Sequence, residues 1–531
     1  EISVSTGVPQ MSVKIELDPS IQFQKILGFG GAFTEAAAYN INLMNATEQE
    51  EILQAYFGPL NTSLGYSLCR THINSVDFSL QSYSSDDTPD DFELKDFNLK
   101  HDKWLLIPLI KRALSLHEKH FSSPLRLFAS PWSPPAWMKA NGAMDGSTRP
   151  GLLNSSEVHS AWARFLSKWV SAYKTEGVPF WGMTPQNEPE NPAPWEACVY
   201  SASQMNGFIR DFLGPQMAKD HPELLLIIWD HNRDHIVEWA NTIVGDPLTN
   251  PYVSGIGFHW YEGNSPSLKH YERLDQALSV DPSKFLLATE STYCPGVSLG
   301  DWSRGEAYGW DILNDLNHNT SGWVDWNIVL DTSGGPNHLG NVCDSPIVVD
   351  PNNHKIYYQP FYYFIGHFSR FIRPGAVRIS SSVSEPLRCR VRQDADLGGV
   401  CGALGWACSS GASCPDNWWQ QCNPIQTEGL VAIANDVFDG WFQSHRLDEG
   451  PYACDFGGNA VLEGLQVTAF ANLDIASQEP KVVVVVLNVG DQEANFTLSM
   501  PSEQGTNASC GNFAATVPGH SIQTWELPSF H

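Results

Sequence analysis

Two isolated glutamates each close an apolar run in this 531-residue chain. Glu188 follows "FWGM" within "MTPQNEPE" (183–190), and Glu290 ends "FLLATES" (285–291). Either alone reads better as a carboxylate capping the helix that follows. As a pair they could do more, because breaking a glycosidic bond needs two carboxyl groups. One is protonated and donates to the leaving oxygen; the other is ionised and meets the positive charge developing on the sugar. Asn187 could hydrogen-bond a hydroxyl beside the reacting carbon, and Pro189 fixes the chain's exit after Glu188. The ends of other apolar runs hold Asp77, Trp132, Asp230, His259, Tyr261 and Trp326, with Asn337 just beyond the last. Trp and Tyr offer flat apolar faces with a polar edge, suited to sugar rings and equally to an ordinary core. Asp77 is either a local cap or an acceptor for two ring hydroxyls, with its neighbour Arg70 holding its charge. His259 reads as a core or subsite residue rather than a metal ligand.

Elements that could bring these residues together are legible between about 26 and 370. Eight short apolar runs start at 26, 66, 125, 180, 224, 253, 285 and 322, with amphipathic stretches such as "WLLIPLIKRALSLHEKH" (104–120) between them. Strands alternating with helices imply parallel βαβ units, and eight of them imply a closed (β/α)8 TIM barrel of the α/β class. Active sites of such barrels form at the C-terminal ends of the strands, where the candidate residues fall. No Gly-x-Gly-x-x-Gly follows any run, which argues against a doubly wound sheet. No Gly-x-Ser-x-Gly, His-Glu-x-x-His or phosphate loop points to another chemistry.

Beyond 374 short alternating strands, among them "KVVVVVLN" (481–488), indicate a side β-sandwich. "MSVKIELD" (11–18) has the same character, so the sandwich is expected from both chain ends. The expected division is 1–25 for the N-terminal sandwich strands, 26–374 for the catalytic barrel, and 375–385 with 464–531 for the rest of the sandwich. An inserted module occupies 386–463. Six of the 11 cysteines lie in that insert, at 389, 401, 408, 414, 422 and 454. With no Cys-x2-Cys pair and no histidine ladder among them, they read as a disulfide framework rather than a zinc site. Because both its ends return to neighbouring strands, the insert is expected to be a separable lobe.

Lysine and arginine total 31 against 59 aspartates and glutamates, a net charge of −28 that disfavours nucleic acid as a partner. No apolar run reaches the roughly 20 residues of a membrane span. The chain opens at Glu1 with neither an initiator Met nor a signal peptide, as expected of a processed product. Six Asn-x-Ser/Thr sites begin at Asn45, Asn61, Asn154, Asn319, Asn495 and Asn507. With the cysteine cluster they point to a secreted or lysosomal/vacuolar glycoprotein.

"FQKILGFGGAFTEAAA", "DFSLQSYSSDDTPDDF", "ASPWSPPAWMKANGAMDG", "NEP", "HWY", "GGPN" and "DSPIVVD" occur in that order. Together they resemble glycoside hydrolase family 30, and within it the glucosylceramidase group, over about 11–385 and again from 464. The resemblance implies a (β/α)8 barrel with a side β-sandwich and a retaining double displacement. Glu188 would be the acid/base and Glu290 the nucleophile, with the Glu290 charge holding Glu188 protonated. Asp77, Trp132, Asn187, Trp326 and Asn337 would form the glucose pocket, with His259 and Tyr261 beside the nucleophile. The substrate implied is a β-glucoside or glucosylated lipid, with no metal or organic cofactor. "NPAPWEACVY" (191–200) departs from the glucosylceramidase pattern on the aglycone side. In the insert, "WACSSGASC" and "ACDFGGNAVL" are similar to carbohydrate-binding module family 43, which implies a β-1,3-glucan partner held by exposed aromatics such as Trp418 and Trp419. The alternatives are an endo-β-glucanase (β-1,6 or β-1,3) acting on cell-wall glucan, a purely structural insert, and a non-catalytic sugar-binding protein.

Overall fold

The computed structural model describes residues 13–262, 265–473, 480–500 and 513–528. Residues 11 and 12 of the expected first strand, the Asn507 site and Cys510 lie outside them. Eight parallel strands close into a barrel: β1 Gly28–Phe33, β2 Leu68–Ile73, β3 Arg126–Pro131, β4 Gly182–Met183, β5 Leu225–Asn232, β6 Gly255–His259, β7 Phe285–Glu290 and β8 Thr320–Asn327. Each apolar run supplies one strand. Leu68, Phe128, Ile227, Leu287 and Val324 pack together as a dry layer inside it. Closure brings β1 against β2 so tightly that a Cβ on Gly30 would lie 1.6 Å from the Leu68 carbonyl oxygen, which only glycine permits. Two runs are cut short. The run through 180–186 pairs as a strand only at Gly182–Met183, two residues before Pro185, which has no N–H for a ladder. The last run divides, and Val329–Asp331 leaves the barrel to pair with Ile347–Asp350.

The side domain is a seven-stranded sheet in which Val13–Lys25 lies between Ala494–Ser499 and Val377–Val383, so both chain ends do build it. Strand Pro480–Asn488 explains its own unbroken valines. Val482, Val484 and Val486 face the sheet's own core, while Val483, Val485 and Leu487 join the main core around the barrel. A strand buried on both faces has no polar phase.

The insert opens on Arg388–Val391 and closes on Ala460–Glu463, which pair antiparallel. Between them run helices Leu397–Ser409 and Thr427–Glu449. Its six cysteines form three disulfides, 389–454, 401–422 and 408–414. A fourth joins Cys294 to Cys343, two residues that show no pattern in the sequence. Of the aromatics expected on its surface, Trp419 is exposed but Trp418 is half-buried over Gly405; Trp406 is as exposed as Trp419.

Candidate active site

Period-two alternation carries side chains from the dry layer up to the barrel mouth. On β2 the residue after Leu68 on the same face is Arg70. On β3, Phe128 is followed by Ser130 and Trp132, and on β8, Val324 by Trp326. Strict alternation would aim Trp229 and Thr289 inward on β5 and β7. Instead, pairing shifts register between Trp229 and His231, and again between Ala288 and Glu290. Trp229 packs outward with Ile228, and the phase change turns Asp230 and Glu290 toward the interior. Glu188, Trp229 and Asp230 all have positive φ (43°, 74° and 59°), and the Glu188 N–H donates to the Asp230 carbonyl at 3.0 Å. Such backbone costs on the order of 1–3 kcal/mol per residue and persists only where its surroundings hold it.

Arg70 is fully buried and ties the mouth together. Its guanidinium donates to Glu290 Oε2 (2.5 Å), Asn187 Oδ1 (2.9 Å) and Asp230 Oδ2 (2.8 Å). It lies 4.8 and 5.4 Å from the rings of Trp132 and Trp326. Asp77 is not its partner, contrary to expectation. Tyr261 donates to Glu290 Oε1 at 3.0 Å, so both oxygens of that carboxyl meet donors, the surroundings of an ionised acceptor. Burial pushes Glu290 above the ordinary carboxylate range, and the charges of His259 and Arg70 oppose it.

Glu188 behaves the other way. Burial raises it too, but His259 hydrogen-bonds it, and the charges of His231 and His259 with the Asn191 amide bring it down to about 2. His259 Nδ1 lies 3.2 Å from Glu188 Oε1, its Nε2 3.0 Å from Asp230 Oδ1, and Asn191 donates to Glu188 Oε2 at 2.8 Å. Burial works against a charge on His259, yet Glu290, Asp230 and Glu188 push its pKa up to about 9. Against the expectation that the charge of Glu290 holds Glu188 protonated, the two imidazoles beside it act in the opposite sense. Hydrogen-bonded to each other, Glu188 and His259 titrate as a pair.

The cavity above is lined by Asp77, Trp132, Asn187, Glu188, Tyr261, Glu290 and Trp326, all expected from the sequence. Trp132 and Trp326 stack with centroids 5.1 Å apart. Burial pushes Asp77 up to about 7, while the amides of Asn341 (2.8 Å) and Asn337 (3.2 Å) donate to it. Asn341 lines the cavity; Asn337 supports Asp77 without lining it. His259 is fully buried behind Glu188. Sequence reasoning missed Asn341, Asn191, Trp195, Phe78 and the Cys294–Cys343 disulfide, all on the cavity wall. Asn341 and Cys343 follow "GGPN" in a loop without periodicity, and Asn191 and Trp195 fall in the divergent 191–200 segment, so nothing in their spacing marked them.

Against known proteins, the glycosyl hydrolase family 30 TIM-barrel domain matches residues 26–372, and the family's beta sandwich domain matches 455–525. Putative glucosylceramidase 3 of Caenorhabditis elegans is 40% identical over 388 residues, covering 70% of this chain and 72% of that protein. The lysosomal acid glucosylceramidase of Mus musculus is 36% identical, covering 70% and 72%. Endo-1,6-beta-D-glucanase neg1 of Aspergillus fumigatus is 27% identical, covering 68% and 73%. With its barrel and its side sheet both matched in order, this chain belongs to glycoside hydrolase family 30 and is a glycoside hydrolase.

Proposed function

We propose that the chain is a retaining β-glucosidase of the glucosylceramidase type, acting on a glucosylated lipid. One observation carries the reading: Glu188, in the loop after β4, and Glu290, at the end of β7, line one cavity, and a single guanidinium spans Glu290 and Asn187. In the first displacement a Glu290 oxygen attacks the anomeric carbon and the bond to the leaving oxygen breaks. Glu188 delivers to that oxygen the proton it shares with His259. An ester joins glucose to Glu290. In the second, Glu188 takes a proton from water as the water oxygen attacks the same carbon, freeing Glu290 and the β-anomer. Arg70 and Tyr261 aim the nucleophile. Asp77 with Asn341, Asn187, and the Trp132–Trp326 pair hold the ring. The steps use no metal or organic cofactor.

The relatives' names support the lipid substrate, as do the clustered disulfides and the mouse relative's compartment for a lysosomal, vacuolar or secreted setting. An endo-β-1,6-glucanase is the second reading, supported by the fungal relative and by Trp195, a further aromatic on the cavity wall from the divergent 191–200 segment. Initial rates on glucosylceramide, steryl glucoside and β-1,6-glucan oligomers discriminate; preference for the oligomers overturns the lipid assignment. Glu188→Gln should slow an alkyl β-glucoside by about 10²–10⁴-fold and a dinitrophenyl β-glucoside far less. Equal losses would remove Glu188 from the acid role.

A further inference from the structure

His231 stands beside the acid/base carboxylate and has no step in the double displacement. It follows Asp230 on the bulged end of β5, with 13% of its side chain exposed. Its Nδ1 has no hydrogen-bond partner. It lies 4.0 Å from Glu188 Oε1, beyond hydrogen-bond reach. A buried ring nitrogen facing a carboxylate oxygen without bonding to it calls for an explanation. His259 Nδ1 approaches the same oxygen at 3.2 Å, and the two imidazoles are inclined at 66°.

Glu188, His231 and His259 each offer one ligand atom, and these atoms lie within 4.8 Å of one another. Among the described residues no other three histidines, cysteines or acids are so placed. Two imidazole nitrogens and one carboxylate oxygen suit Zn²⁺ and its neighbours, not Mg²⁺ or Ca²⁺, which prefer oxygen. The surroundings are built in the same sense. Asp230 Oδ1 lies 3.0 Å from His259 Nε2; a hydrogen kept there leaves the Nδ1 lone pair free to face a metal. Asn191 occupies Glu188 Oε2, so Oε1 is the oxygen left to the histidines. Glu188 lines the cavity, which leaves a fourth position open on that side.

We propose that Glu188, His231 and His259 form a binding site for a divalent cation of the Zn²⁺ class, and that its occupancy inhibits hydrolysis. Cation and catalytic proton would occupy the same place, so the loaded enzyme has no acid to give. The site rests on the geometry alone; the inhibition also rests on Glu188 being the acid.

Binding is read by competing the whole protein, stripped with EDTA and dialysed, against a chromophoric zinc chelator. Initial rates on an alkyl β-glucoside, whose leaving group needs the acid, are measured in parallel. Wild type should take up one Zn²⁺ per chain, with inhibition that saturates with uptake and is reversed by EDTA; Mg²⁺ should do neither. His231→Asn should weaken uptake by more than the roughly 10- to 100-fold that loss of an outer-shell partner alone costs. Inhibition, scaled to that variant's own uninhibited rate, should weaken equally. Glu188→Gln, read with the chelator alone, should also lose affinity. Absence of stoichiometric uptake, or uptake unchanged in both variants, overturns the site whatever the activity. Uptake lost in both variants but without inhibition in wild type leaves the site standing and overturns the inhibitory role, while the acid role of Glu188 is decided separately by the alkyl and dinitrophenyl β-glucosides.

Discussion

His259 stands between Glu188 and Asp230, and the place of its proton decides what Glu188 is before substrate arrives. The proposed double displacement needs Glu290 ionised and one proton on the Glu188–His259 pair. Glu290 is raised by burial, so turnover falls as pH drops through a value above the ordinary carboxylate range. The pair keeps its proton until pH rises toward about 9, the value of His259. The kcat/KM profile is therefore a bell whose basic limb belongs to the pair. In His259→Asn the proton must sit on a lone carboxyl, and the basic limb should move to lower pH. An unmoved limb would mean that His259 takes no part in the acid's ionisation.

At the scale of the elements, the repeating parts of the fold are those the sequence makes legible. All eight barrel strands show as apolar runs because each is buried on both sides, and the run of valines at 482–486 shows for the same reason. Irregular parts do not show. The register shifts that turn Asp230 and Glu290 inward follow from local strain and pairing, and no residue type announces them. Nearness in sequence pairs Arg70 with Asp77, whereas closure of the barrel brings it to Glu290, Asn187 and Asp230. The strand Pro480–Asn488 offers a test of two-faced burial. Val484→Ala and Val485→Ala each remove two methyl groups, one from the sheet's core and one from the barrel side. Both should lower stability by about 2 kcal/mol, read as a fall in thermal midpoint. A loss confined to one of them would place the other face in solvent.

Across the whole molecule, the insert is tied at both ends to one strand pair and also leans on the barrel. Gly450 packs so closely that a Cβ there would lie 2.1 Å from the Leu268 carbonyl oxygen, and the His270 N–H donates to the Leu447 carbonyl. Tyr452 faces Leu268, Tyr293 and Trp310 across a cavity, and Tyr293 lies on the loop that leaves Glu290. Replacing 388–463 by a Gly/Ser linker should lower the thermal midpoint by uncovering these side chains while turnover of a small aryl β-glucoside persists. Retention on insoluble β-1,3-glucan should be lost, with exposed Trp419, and Trp406 in place of the half-buried Trp418, as the contacts the binding would use. Loss of aryl-glucosidase activity in a folded variant would instead make the insert a support of the Glu290 loop. The intact protein also gives the most direct test of the central claim, that Glu290 becomes covalently glycosylated. Incubation with an activated 2-deoxy-2-fluoro-β-glucoside slows breakdown of the ester, and mass spectrometry then reads the trapped species. One added fluoroglucosyl group per chain is expected, mapped to the peptide containing Glu290 and absent in Glu290→Gln. No adduct, or an adduct on another residue, would contradict it.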